Sequence, residues 1–260
     1  MEFDWRKHNE KAWDIFTSSN YNWARTASPQ EINNARNGIL SLIVTNHRIV
    51  PKEWLPNLKN ASVLCLSAGG GLQGPLLSAA GANVTVYDFS QRQLDKDIEI
   101  CKRENLNIKT IKGDMEDLNY FEYDEFDLIV NPVSNNYISN IQQVWNECYR
   151  VLKKNGILIA GFATPLEFCI DQKLECKGIL QLKNKMPYSD ISNLGEQELH
   201  NKIELNRPLY FAHSMESQIQ GQINAGFSIQ GYLDDLNKEG DLLSEYMPAY
   251  ALTKSIKMNS

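Results

Sequence analysis

Between Ala61 and Phe162, short apolar runs alternate with segments whose apolar residues recur at helical spacing. ASVLCLS (61–67) is continuous rather than alternating, the pattern of a strand buried on both faces. ANVTVYD (82–88), LNIKTIKGD (106–114), EFDLIVNP (125–132) and ILIAGF (157–162) are the next four strands. The intervening segments predict helices. One runs from about Leu72 to Ala80 and ends at Gly81. One is opened by Ser90 and Gln93 as a capping box and runs to about Arg103. One carries Ile141, Val144, Trp145, Cys148, Val151 and Leu152 on one face, in a segment ended by Gly156. Strands and helices alternating at this spacing mean βαβ units and a parallel sheet with right-handed crossovers. Ser214 caps a later helix ending at Gly226, and strands at about 227–233 and 249–256 close the sheet.

Residues 1–60 precede the first strand and read as an N-terminal helical extension. SPQE (28–31) is a helix start, with Ser28 as cap, Pro29 at the first position and Glu31 completing a capping box. Its apolar face is expected to continue through Ile32, Ala35, Ile39, Leu42 and Ile43, before a linker bracketed by Pro51 and Pro56. Residues 61–260 form the main domain, with a less regular insertion at about 165–208 near the carboxyl edge of the sheet.

Composition narrows the class. The chain has 260 residues, 42% hydrophobic and 22% charged, as in an ordinary globular protein. A net charge of −6 speaks against nucleic acid. The five cysteines include no C-x-x-C, so neither a disulfide framework nor a metal site is expected. Cys65 and Cys148 read as core residues. A polar N-terminus and the lack of an apolar run of about 20 residues predict no signal peptide, no membrane span and a cytoplasmic location.

The chemistry centres on SAGGGLQG (67–74), directly after the first strand. Glycines there let a ligand approach the backbone, and the following helix offers free N–H groups. The stretch contains a literal G-x-G-x-x-G, but a dinucleotide fingerprint places its first glycine directly after the strand, where Ser67 stands. Asp88 ends the second strand, about 20 residues after the loop, where a carboxylate accepts from ribose hydroxyls. Asp114 ends the third strand. A second acid there suits an adenine amino group, with Met115 against the ring. The fourth strand runs into NPVSNNY, rich in amides and facing the same crevice.

VLCLSAGGG resembles the V-L-D-L-G-x-G-x-G motif of class I S-adenosylmethionine-dependent methyltransferases. YDFS, GDMEDL, FDLIVNPVSN and YRVLKKNGILIAGF are similar to that superfamily's later motifs in order. The resemblance covers about residues 60–162. AHSMESQIQGQINAGFSIQGYLDD resembles the last helix and strand of a bacterial subgroup that shares a VPxxWLP lead-in. It implies an α/β, Rossmann-like, seven-stranded mixed sheet of order 3-2-1-4-5-7-6 with helices on both faces and the seventh strand antiparallel. It implies S-adenosylmethionine as cofactor and S-adenosylhomocysteine as product. By position, Ser67, Ala68, Gly69, Gly71 and Gln73 line the methionine and ribose portion. Asp88 holds the ribose, Phe89 and Met115 contact adenine beside Asp114, and Asn131 lies near the sulfonium. Two departures stand out: Cys65 replaces the usual acid of the first strand, and Ser67 the usual first glycine. Loop-supporting hydrogen bonds must then come from elsewhere.

The expected partner is a small-molecule methyl acceptor. NPVS lacks the aromatic residue of the N-P-P-aromatic motif of amino-group nucleic-acid methylases. Substrate candidates are Trp23 as a lid residue, Asn135 and Tyr137 just past a strand end, and His213 before a helix. For Trp5 and Trp13, packing of the extension against the sheet is the favoured reading. No catalytic residue is assigned. Two alternatives stay open from residues alone: an NAD-dependent oxidoreductase, and an S-adenosylmethionine-binding protein without turnover.

Overall fold

The computed structural model describes residues 3–18, 25–237 and 241–258. In chain order, α1 (Trp5–Ser18) and α2 (Pro29–Arg36) precede β1 (Ser62–Leu66), α3 (Gln73–Ala79), β2 (Asn83–Asp88), α4 (Gln91–Glu104) and β3 (Ile108–Lys112). Next come β4 (Phe126–Asn131), α5 (Ile141–Val151) and β5 (Leu152–Ala163). The short elements α6 (Leu166–Cys169), α7 (Gln172–Glu175), β6 (Tyr188–Ser189), α8 (Asp190–Asn193), α9 (Glu196–Glu204) and β7 (Phe211–Ala212) follow, then α10 (Met215–Asn224), β8 (Phe227–Asp235) and β9 (Tyr250–Lys257).

The main sheet has the order β3-β2-β1-β4-β5-β9-β8. β1 to β5 are parallel, and β9 runs antiparallel to both β5 and β8. With β8 and β9 as sixth and seventh strands, this is the 3-2-1-4-5-7-6 arrangement. Successive side chains of each strand point to opposite faces, and both faces are covered. Leu64, Leu66, Ile129 and Leu158 pack with Trp145 and Cys148 of α5. Val63, Cys65, Val86 and Val130 pack with Leu77 of α3, Leu94 of α4 and Leu42 of the N-terminal extension. Burial on both faces is why these strands read as unbroken apolar runs.

Three local expectations are corrected. α2 has its capping box, but it ends at Arg36 instead of continuing to Ile43. Gly38, at φ +81°, turns the chain. Ile39 is exposed, and Leu42 is buried from an extended segment whose carbonyl accepts from Val50 N–H. The Asn37–Gly38 pair is a helix stop that the apolar period masks. β5 begins at Leu152, directly after α5, so Gly156 lies inside the strand rather than ending the helix. Ser90 caps α4, accepting from Gln93 N–H, while the Gln93 side chain packs against Gly69 and Gly70. Two-residue strands β6 and β7 form a separate antiparallel pair, too short to leave an alternating pattern.

Candidate functional site

The chain reverses sheet direction between β1 and β4, and the crevice outside the strand ends at that point is where open α/β sheets hold ligands. A cavity of about 970 Å3 lies here. Its floor is the loop after β1. Ser67 and Gly70 adopt positive φ (+47° and +117°) to turn the chain away from the strand. Ser67 N–H still reaches Tyr87 O, so the loop starts in register with β2.

Asp88 ends β2 and is 5% exposed. Its Oδ2 accepts Gly69 N–H at 3.0 Å and its Oδ1 accepts Ser90 N–H at 2.9 Å. Burial pushes its carboxyl up to about 6, against the pull of the Ser90, Gly69 and Phe89 N–H groups and with a smaller push from Asp14. A carboxylate has about four acceptor sites, so lone-pair capacity remains. A Cβ at Gly69 would lie 2.7 Å from Gln93 Cβ and 3.0 Å from Asp88 Oδ2, so only glycine leaves the carboxylate open at this point.

Asp97 of α4 lies beneath the loop and is fully buried. Its Oδ2 accepts Gly70 N–H at 2.8 Å, while Oδ1 has no partner among the described residues and would lie 3.1 Å from a Cβ at Gly74. Burial drives its carboxyl up to about 8, against hydrogen bonds from Gly70 and Gly71. Gln73 is committed elsewhere: its amide donates to Ile43 O and ties the loop to the N-terminal extension.

Helix α1 crosses the ends of β2 and β3. Arg6 pairs with Asp114 at 3.2 Å and Glu116 at 2.7 Å, Glu10 with Lys112 at 2.7 Å, and Asp14 accepts from Ser90 Oγ at 2.6 Å. Asp114 therefore borders the cavity already bound to a guanidinium. Trp13 lines the cavity instead of serving only to pack the extension. The segment following β5 supplies the opposite wall, including Phe168, Tyr188, Lys202 and Tyr210.

Of the residues singled out in the sequence, Ser67, Ala68, Gly69, Gln73, Asp88 and Phe89 line this cavity, as do Asp114, Met115 and Tyr137. Gly71, Asn131, Asn135 and His213 are not among its lining residues. Gly71 O accepts from Ala27 N–H. Asn131 is fully buried and donates to Leu66 O and Ser134 Oγ, fastening β4 to β1. Asn135 turns inward to Gln218 Oε1 at 3.0 Å. His213 Nε2 bridges Asn135 O and Ile138 O at 2.9 and 3.0 Å, and burial lowers its pKa. It is a strut under the 135–138 turn. Trp23 lies outside the described residues.

Sequence reasoning missed Asp97, Gln93, Trp13 and Asn136. A signal existed for Asp97: it shares the buried stripe of α4 with Leu94, Ile100 and Cys101, where an acid needs a partner. Among the described residues, no helix is long and apolar enough to cross a membrane.

The site can receive a nucleoside. A buried carboxylate with spare lone pairs faces a glycine without a side chain, and Phe89 and Met115 supply apolar surface nearby. Comparison with known proteins agrees. A family described as "Methyltransferase domain" matches residues 64–160. The chain is 45% identical over 251 residues to "Uncharacterized methyltransferase YbaJ" of Bacillus subtilis (strain 168), covering 96% of this chain and 98% of that one. It is 32% identical over 129 residues to the chloroplastic 2-methyl-6-phytyl-1,4-hydroquinone methyltransferase 1 of Oryza sativa subsp. japonica, covering 44% of this chain and 38% of that protein. Its fold is similar to an S-adenosylmethionine-dependent methyltransferase from Mesorhizobium loti, with TM-score 0.61 at 14% identity over 79% of this chain and 94% of that one. The chain belongs to the class I S-adenosylmethionine-dependent methyltransferases.

Proposed function

We propose that the methyl acceptor is a small organic molecule held in the same cavity as the donor. The cavity's size carries this reading. At about 970 Å3 it lies at the upper end of the roughly 300–1,000 Å3 typical of small-ligand sites. Walls from α1, from the loop at 43–47 and from the segment after β5 surround the strand ends and narrow the approach for a polymer. The relatives' names point the same way, since one acts on a hydroquinone.

When bound, S-adenosylmethionine supplies a methyl group already activated by its sulfonium, so the protein's task is alignment. In this reading Asp88 accepts from the ribose hydroxyls, Phe89 and Met115 flank the adenine, and Asp114 borders the base through its pair with Arg6. Ser67, Ala68 and Gly69 lie along the methionine portion. Gly71, Gln73 and Asn131 hold the loop and strand ends in place. Tyr137 and Asn136 face the acceptor, and the N-terminal extension and the insertion exclude water around it.

The test is transfer of a tritium-labelled methyl group in a cell extract, followed by size separation. Label in the low-mass fraction is the expected result. Label confined to RNA or protein overturns the reading.

A further inference from the structure

We propose that the acceptor end of the cavity is a subsite for a planar, oxygen-substituted aromatic molecule of the phenol or catechol kind. This deepens the small-molecule reading and rests on it. Four aromatic rings form one continuous wall. Trp13 stands edge-on to Tyr137 with centroids 5.1 Å apart, Tyr137 tilts against Tyr210 at 5.5 Å, and Tyr210 against Phe168 at 5.9 Å. All four border the cavity. They come from α1, the turn after β4, the segment before β7 and α6, so no local structure forces them together. Such a wall offers a flat ligand ring large contact area at offset or edge-on geometry.

Two polar atoms on cavity-lining residues add direction. Among the described residues, Trp13 Nε1 and Asn136 Oδ1 have no partner, although each residue is only 9% exposed. An indole N–H only donates and an amide oxygen only accepts. Buried groups of this kind are nearly always satisfied. A ring with one oxygen acceptor and one hydroxyl donor matches both. An unsubstituted hydrocarbon matches neither. A cationic amine is disfavoured, because the Lys202 ammonium already lies 4.2 Å from the Tyr210 ring centroid and is paired with Asp190.

The experiment is calorimetry on protein saturated with S-adenosylhomocysteine, titrated with catechol, 1-naphthol, cis-1,2-cyclohexanediol and tetramethylammonium. At least one ring probe is expected to bind, at least tenfold tighter than the saturated diol or the cation. Phe168→Leu keeps apolar volume without a ring, and Trp13→Phe keeps the ring without the N–H. Each should weaken the bound ring probe about five- to tenfold and leave S-adenosylhomocysteine affinity within twofold. Equal binding of diol or cation, no binding of either ring probe, or unchanged affinity in both variants overturns the proposal. Failure of S-adenosylhomocysteine itself to bind is a separate result and strikes the methyl-donor reading instead.

Discussion

Asp97 Oδ2 accepts the Gly70 N–H at 2.8 Å from beneath the glycine loop, across 27 residues of sequence. The resemblance places an acid in β1 for loop support, and that position here is Cys65. The Cys65 thiol is fully buried, and its ionisation is opposed first by burial and then by Asp97. Here a carboxylate on α4, not one on β1, accepts from the loop. Asp97→Ala should weaken S-adenosylhomocysteine binding by about 1–3 kcal/mol, the range for losing a hydrogen bond to a charged or buried group. Adding Cys65→Asp to that variant should recover part of the loss, whereas Cys65→Asp alone should destabilise the protein by placing two acids side by side. Calorimetry and thermal melting of the four proteins close the cycle. Additive losses with no recovery would show that the two positions do not share a role.

Asp97 also gives the fold a pH signature. Its carboxyl is raised from 3.8 to about 8, chiefly by burial. A folded state that holds a proton more tightly than the unfolded chain is favoured at low pH. The stability from the protonated form is lost as pH rises from the unfolded value through the folded one, and the loss levels off above about 8. The melting temperature of the ligand-free protein should fall as pH rises from about 5 to about 8 and level off above that. Asp97→Asn, which cannot ionise, should fall less over that window. Parallel melting curves for the two proteins would refute the shift.

Asp88 should govern cofactor affinity rather than stability alone. Asp88→Ala is expected to lose about 1–3 kcal/mol of S-adenosylhomocysteine binding through lost hydrogen bonds to the ribose. The carboxyl is raised to about 6, so it is mostly ionised at neutral pH and protonated below that value. A protonated carboxyl accepts fewer hydrogen bonds. Affinity in the natural protein should decline as pH drops through about 6, and the Asp88→Ala variant should show a flatter profile. Calorimetry from pH 5 to 8 checks both.

The sheet was legible because β1, β2, β4 and β5 are buried in its interior, and an unbroken apolar run as short as VLCL, bounded by polar and glycine positions, suits a central strand and is too brief for a helix. The overrun of α2 has the opposite cause. Leu42 is buried as deeply as a helix-face residue, but from an extended segment, and burial alone does not report backbone conformation. At the site, the acids at strand ends were visible because topology fixes where strand ends lie. The path of the turn after β4 was not legible in the sequence. Asn135 and Asn136 are chemically alike, and only the path of the 3₁₀ turn sends one to Gln218 and the other to the cavity. Asp97 escaped because its partner is a backbone N–H, which carries no residue identity.

His213 separates a positioning role from a basic one. It holds Asn135 O and Ile138 O through Nε2 and is not among the cavity-lining residues, so it fixes the turn that presents Asn136 and Tyr137. Burial lowers its pKa, which keeps the ring neutral at physiological pH with Nε2 as donor. His213→Ala should loosen that turn and raise KM for the acceptor severalfold, with a smaller fall in kcat. The pH–rate profile should keep its shape, because no proton transfer passes through this ring. His213→Gln, which restores one amide donor near the two carbonyls, should regain part of the KM. A profile that loses an ionisation in His213→Ala would instead make His213 the general base and place its imidazole against the acceptor.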